Sequence, residues 1–352
     1  MERYIGLDAH STTCTFAVMG PTGRHLQERV LETNGKALVE FVRRVPGDRY
    51  LCLEEGAQSE WLYEVLEPHA KEVVVVRPLP RPGCKSDSAD AWNLADGYRT
   101  GKLGRAVFKA PKRYTELRQA VRGYQATTRD LIRAKARLKA VFRGRGVAVD
   151  DGVYDPSQRS KSLRRLPGSY RRLAELLATQ VDAAERIHDQ AASWLEAETE
   201  GVDAIRRVST VPGIGLVRAA QVVAIVVTPT RFRTKRQFWS YCGFGVVTRS
   251  SSDYVRGSDG KWQRKPMLQT RGLNRNHNPA LKAVFNGAAQ TVIQRMPKHP
   301  LHLDYQRALD ANIKPPHARL TLARRIAAAT WAIWKKQEDY DPAMHHASKP
   351  AA

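Results

Sequence analysis

The chain has 352 residues and a formal charge of +23, from 58 lysines and arginines set against 35 aspartates and glutamates. Its hydrophobic content of 42% is enough for packed cores in two or three domains, which excludes a disordered or fibrous chain. A sequence pI near 10.2 points to a polyanionic partner bound by release of counterions from phosphates, although a merely basic, ribosome-like protein fits the charge as well.

The first stretch alternates strand and helix signals. Residues 3–8 and 12–19 are short β-rich runs, and the turn Pro21-Thr22-Gly23 leads to a third run ending near Leu31. Leu38, Phe41, Val42 and Val45 have helical spacing, Tyr50 to Leu53 reads as a short apolar strand, and Trp61 to Leu66 as part of a helix. The unbroken run Val73 to Val76 suits a strand covered on both faces. Three strands followed by strand–helix repeats predict a mixed α/β sheet that begins as a meander.

From about Thr115 the pattern changes. Leu117, Val121, Tyr124, Thr128, Leu131, Lys135, Leu138 and Phe142 step by threes and fours, and after a Gly/Arg-rich break a second series follows: Leu173, Leu177, Gln180, Ala184, Ile187, Ala191 and Trp194. Two such helices predict an antiparallel hairpin, either a dimerising coiled coil or part of an intramolecular bundle. The remainder reads as basic and mostly helical, with a last core-facing stripe at Leu322, Ile326, Ala329 and Ile333. The expected division is 1–108, 109–200 and 201–345.

Four acids carry the first chemical signal. Asp8 and Glu54 end strand patterns, while Asp87 and Asp90 lie three apart at a helix start, on one face. Each is also an ordinary cap or turn residue, and acids suit a helix N-terminus. Taken together they resemble a ligand set. Carboxylates about 4 Å apart repel by about 4 kcal/mol at an effective dielectric of 20, and a divalent cation relieves that. Two Mg²⁺ ions about 3.5–4 Å apart would activate the attacking and the leaving oxygen of a phosphodiester. Glu55 competes with Glu54, and strand phase alone does not choose between them.

Other motifs are weaker. The loop Tyr241-Cys242-Gly243-Phe244-Gly245-Val246-Val247-Thr248-Arg249-Ser250-Ser251-Ser252 exposes hydroxyls, which attack phosphorus only when a base or metal activates them. Val211-Pro212-Gly213-Ile214-Gly215 resembles the hairpin of helix–hairpin–helix elements, where Gly213 and Gly215 would let backbone N–H groups approach a phosphate; a plain helix corner is the alternative. Arg231, Lys235 and Arg236 lie in a basic run interleaved with Phe232, Phe238 and Trp239, a pattern that suits nucleic-acid contacts. The four cysteines, Cys14, Cys52, Cys84 and Cys242, form no C-x-x-C pair and read as reduced thiols. With no signal-peptide pattern at the start, a cytoplasmic location is expected.

GLDAH, LEEGAQSEWLYEVL, KSDSADAWNLADGYRTGKL, VPGIGLVRAA and YCGFGVVTRSSS occur in this order, and over nearly the whole chain the sequence resembles the DEDD-type insertion-sequence transposases of the insertion-sequence one-hundred-ten group. The resemblance implies an α/β plus all-α architecture: an RNase H-like (RuvC-like) mixed sheet with flanking helices, a coiled-coil-like hairpin and a mainly helical C-terminal domain. It further implies that Asp8, Glu54, Asp87 and Asp90 hold Mg²⁺, and that a serine attacks DNA to form a phosphoserine link. The serine motif here reads Ser250-Ser251-Ser252, so Ser251 is the first choice and Ser250 the second. Asn278-Pro279-Ala280-Leu281-Lys282 looks like the family's Gly-Asn-x-x-Leu-Arg, with His277 in place of glycine. Members are similar in working with a structured non-coding RNA that bridges donor and target DNA.

The reading that follows is a Mg²⁺-dependent transposase or recombinase, acting as a dimer or tetramer on double-stranded DNA. Two rivals stand beside it. A RuvC-like nuclease or junction resolvase would use activated water and leave free ends. A basic nucleic-acid-binding protein would use its acids only as caps and turns.

Overall fold

Strand β1 (Glu2–Ala9) lies at the centre of a five-stranded sheet. It pairs antiparallel with β2 (Thr13–Met19), which pairs antiparallel with β3 (His25–Glu32). On its other edge β1 runs parallel to β4 (Asp48–Glu54), and β4 runs parallel to β5 (Glu72–Val76). The order β3-β2-β1-β4-β5 begins with the expected meander and is the RNase H-like mixed sheet that the resemblance implies. The computed structural model describes residues 1–78, 86–109, 111–248, 254–264 and 270–345. Two compact units divide the chain, Met1–Lys112 and Arg113–Ala352, and each is described by itself.

In the first unit, alternation sorts the strand residues between two faces. Ile5, Leu7, Leu51, Leu53, Val73 and Val75 pack with Leu38, Phe41 and Val42 of helix α1 (Gly35–Arg44) and with Leu62 and Leu66 of α2 (Ser59–Leu66). The opposite face carries α3 (Asp87–Arg99), whose Leu94 meets Cys52 and Val76, with Val74 packed alongside. The valine run is therefore covered on both sides. Gly6 lets α3 lie directly on β1, since a Cβ there would stand 1.9 Å from the Ala91 carbonyl oxygen. Edge strand β3 is exposed and charged, a composition that blunts edge pairing. α3 reaches it through Trp92, whose Nε1 donates to Glu28 at 2.6 Å.

In the second unit, α4 (Lys112–Arg143) and α6 (Gly168–Thr199) form the antiparallel hairpin, with the short α5 (Arg159–Leu163) near its tip. Lys135 Nζ meets Glu185 at 3.0 Å, and the rings of Tyr124 and His188 are 5.1 Å apart. The hairpin has two cores. Ala134, Leu138 and Phe142 pack with Ala174, Ala178 and Val181 at the tip. Leu117, Val121 and Leu195 at the other end join the C-terminal core. The buried stripe of α6 matches the expected one only in part: Ala191 is buried and Leu177 and Ala184 are half-buried, but Leu173, Ile187 and Trp194 are exposed, while Ala174, Ala178, Val181 and Leu195 are buried. Alanines take much of the buried row, and Leu173 and Leu176 beside them are left outside.

The C-terminal core gathers α7 (Asp203–Ser209), α8 (Leu216–Val226), α9 (Lys235–Tyr241), α10 (Pro279–Arg295), α11 (Pro300–Asp310) and α12 (Pro315–Lys336) around Phe238, Phe244, Phe285, Ile326 and Ala327. Ile326 and Ile333 of the expected α12 stripe are buried. The stretch from Tyr241 to Ser252 reads as loop, yet between α9 and α10 two antiparallel pairs form: β6 (Val246–Thr248) with β9 (Thr270–Leu273), and β7 (Tyr254–Arg256) with β8 (Trp262–Arg264). Tyr254 and Trp262 in that ribbon are exposed, so no half-buried alternation announces it. Cys14, Cys52 and Cys242 are buried free thiols, and Cys84 lies outside the described residues.

Candidate functional site

Asp8 stands at the end of β1 on the face that Gly6 presents to α3. Ser86 caps α3 by accepting from the Ala89 N–H at 3.1 Å, and the helix starts with Asp87 and Asp90 in its first turn. The close β1–α3 seat brings Asp87 to Asp8. A third group completes the cluster: His10 Nε2 lies 3.1 Å from Asp8 Oδ2 and 3.3 Å from Asp87 Oδ1. One donor atom from each of Asp8, His10 and Asp87 falls within 4.8 Å of the other two. Burial pushes the Asp8 carboxyl above its ordinary range; Asp87 and Asp90 add to the rise, and His10 opposes it.

Register decides the phase of the second acid. Gly6 is level with Cys52 and Leu7 with Leu53, and Cys52 packs against α3. Glu54 therefore shares the face of Asp8, and Glu55 takes the opposite phase, its N–H donating to Val76 O at 2.7 Å. Neither Glu54 nor Asp90 joins the group within 4.8 Å, although Asp90 is near enough to raise the Asp8 carboxyl. Sequence reasoning missed His10, whose only signal was its place in the turn directly after the strand that carries Asp8. Carboxylate oxygens and an imidazole nitrogen at these separations suit a single divalent cation. Burial first, and then the neighbouring acids, raise the Asp8 carboxyl, and a positive charge at this place would offset both.

The glycine turn lies between α7 and α8. Gly213 has φ +80°, and a Cβ there would stand 2.4 Å from Ala288 O, so the turn needs glycine on both counts. Beside it opens a cavity of about 920 Å³ lined by Gly213, Gly215, Arg218, Thr291 and Arg295 among others. Arg218 Nη1 donates to Gly213 O at 2.7 Å and to Thr291 Oγ1 at 2.9 Å. Its guanidinium is made less basic by burial and by Arg295.

The basic run is divided in its roles. Arg231 Nη1 donates to Ile225 O and Val226 O, 3.2 and 2.9 Å away, at the C-terminus of α8; there it satisfies end carbonyls. Lys235 Nζ lies 5.7 Å from the Trp239 ring centre, and Arg236 is exposed. Asn278 caps α10, accepting from Leu281 N–H at 3.1 Å. Ser250, Ser251 and Ser252 lie outside the described residues, just after β6.

An RNase H-like sheet that brings strand-end and helix-start carboxylates together defines the DEDD class of catalytic domain. Residues 5–145 match a DEDD transposase family model of the IS110 type, and residues 205–306 match the model described as Transposase IS116/IS110/IS902 family. The chain belongs to the IS110 family of DEDD transposases, a family that implies DNA strand transfer. No curated protein matches it. Among the described residues no helix is long and apolar enough to cross a membrane.

Proposed function

We propose that this transposase is a divalent-cation-dependent DNA recombinase that cleaves through a covalent phosphoserine. The observation that carries the reading is the convergence of Asp8, Asp87 and His10 donor atoms at the end of β1. A divalent cation held there, Mg²⁺ being the expected one, would supply Lewis acidity toward a phosphodiester. Asp8 and Asp87 are its nearest oxygen donors, with Glu54 and Asp90 as the remaining members of the set. Ser251, or Ser250 in its place, supplies the nucleophile. Its Oγ–P bond forms as the P–O3′ bond breaks, and the hydroxyl proton passes to the departing 3′ oxygen. A second DNA 3′-hydroxyl reverses the step, so the bond is conserved through exchange.

The cavity beside Gly213 and Gly215 suits a backbone phosphate, because Arg218 and Arg295 face it without an acidic partner among the described residues. Lys235 and Arg236 extend the same kind of contact. A charge of +23 accommodates a structured non-coding RNA as well as donor and target DNA. The exposed row Leu173, Leu176, Ile187 and Trp194 on α6 suits a second copy of the chain, and strand exchange on two duplexes needs more than one such centre.

The experiment is a denaturing gel of the protein incubated with labelled DNA and Mg²⁺. A covalent adduct is expected. It should be lost in Asp87→Ala and in either Ser251→Ala or Ser250→Ala. Cleaved free ends without adduct would point to hydrolysis by water instead, and an adduct surviving both serine replacements would remove the serine assignment.

A further inference from the structure

We propose that His10 is a nitrogen ligand of the metal centre and that it strengthens the binding of a first-row transition ion, such as Mn²⁺ or Co²⁺, beyond what the carboxylates give, without preventing the use of Mg²⁺. The inference rests on the reading of the Asp8–Asp87 cluster as a cation site and adds to it the identity of a donor and the class of ion.

The backbone of His10 is fixed from both sides. Its N–H donates to Thr13 O at 2.8 Å, closing the turn from β1 to β2, and its carbonyl accepts from Thr33 Oγ1 at 2.9 Å. The side chain thus departs from an anchored point and brings Nε2 to 3.1 Å from one carboxylate and 3.3 Å from the other. Ligand atoms at right angles, each about 2.1 Å from an ion, stand about 3.0 Å apart. The two separations match that edge length. Nε2 is nearly equidistant from the two carboxylates, as three donors around a shared centre would be.

The choice of ion follows from donor chemistry. Mg²⁺ prefers oxygen ligands, keeps its water and gains little from imidazole. First-row transition ions gain from nitrogen, increasingly from Mn²⁺ towards Co²⁺ and beyond. A nitrogen donor from His10 therefore adds affinity for these ions and little for Mg²⁺.

The test uses the full-length, tag-free protein without DNA. Mn²⁺ is titrated and followed by electron paramagnetic resonance, Mg²⁺ is added in competition, and pulsed measurements read coupling of the bound Mn²⁺ to ¹⁴N. Wild type should show nitrogen coupling. His10→Ala and His10→Asn should lose it and bind Mn²⁺ more weakly by about tenfold, with Mg²⁺ affinity nearly unchanged. Bound Mn²⁺ without ¹⁴N coupling in wild type, or equal affinity in both variants, would overturn the role of His10 while leaving the cation site intact. Absence of Mn²⁺ and Mg²⁺ binding in wild type would overturn the cation-site reading itself. Circular dichroism on each variant confirms that the comparison is between folded proteins.

Discussion

Replacing Gly6 with alanine should disable the centre without touching any of its donors. The new methyl would stand 1.9 Å from Ala91 O and 2.8 Å from Ala95 N, where ordinary contacts run from 3.4 to 4 Å. Both obstacles are backbone, so no rotamer change relieves them, and α3 has to withdraw from β1 by about 1.5 Å. Overpacking of this kind costs about 1–3 kcal/mol. The larger effect concerns geometry. Asp87 and Asp90 ride on α3, while Asp8 and His10 ride on β1 and the turn after it, so the shift pulls the donor set apart. A misplacement near 1 Å costs on the order of 100-fold in rate. The assays are urea denaturation, Mn²⁺ titration and strand transfer. Gly6→Ala should lower the denaturation midpoint, weaken metal binding and reduce strand transfer about 100-fold. Gly20→Ala is the control, since its Cβ would meet nothing nearer than 3.7 Å. A Gly6→Ala protein with wild-type stability and metal affinity would refute the claim that α3 is seated on β1 through this glycine.

Three further outcomes are expected. Burial, with help from Asp87 and Asp90, raises the Asp8 carboxyl from its ordinary value of 3.8. The folded state therefore holds that proton more tightly than the unfolded one, and Asp8's contribution to stability falls as pH rises from 3.8 through the folded value. Without divalent cation, Asp8→Asn should then be more stable than wild type at neutral pH, and equal denaturation midpoints there would contradict the assignment. At the hairpin tip, buried Arg159 binds Asp182 at 2.9 Å and Tyr154 O at 2.7 Å; Arg159→Ala should cost about 3 kcal/mol, read as loss of tip amide protection in hydrogen exchange. Leu176→Glu with Ile187→Glu alters side chains that are 66% and 54% exposed, so it should spare the fold yet reduce the sedimenting mass. An unchanged mass would argue against self-association through α6.

The sheet was legible because its signals are local: an unbroken valine run, a glycine turn between β2 and β3, and alternating Leu51, Cys52 and Leu53. The phase of α6 was not. Leu173 and Ala174, like Leu177 and Ala178, are adjacent apolar residues, and the spacing rule cannot say which row faces α4 when the tighter packing belongs to the alanines. The β7–β8 ribbon buries no face, so periodicity had nothing to report. Asp8, Asp87 and Asp90 stood out by charge against a basic chain. His10 did not, because its approach to Asp87 comes from where the first turn of α3 meets β1, a relation between residues almost eighty positions apart. Glu54 was separable from Glu55 only through the pairing of β1 with β4.

The two cores of the hairpin have a consequence for its cooperativity. Between Val121 and Ala134 on α4, and between Val181 and Ala191 on α6, no residue is buried. The helices cross that interval through half-buried residues: Tyr124 beside His188, Leu131 and Ala184 packed on the tip core, and Gly123 beneath the Trp194 ring. The buried residues of the tip and those of the root therefore belong to separate cores. Separate cores let the tip open before the root, so the tip amides should exchange earlier than the root amides. The hairpin also has a defined compliant zone: torque applied at the tip is absorbed in the half-buried middle before it reaches the C-terminal core.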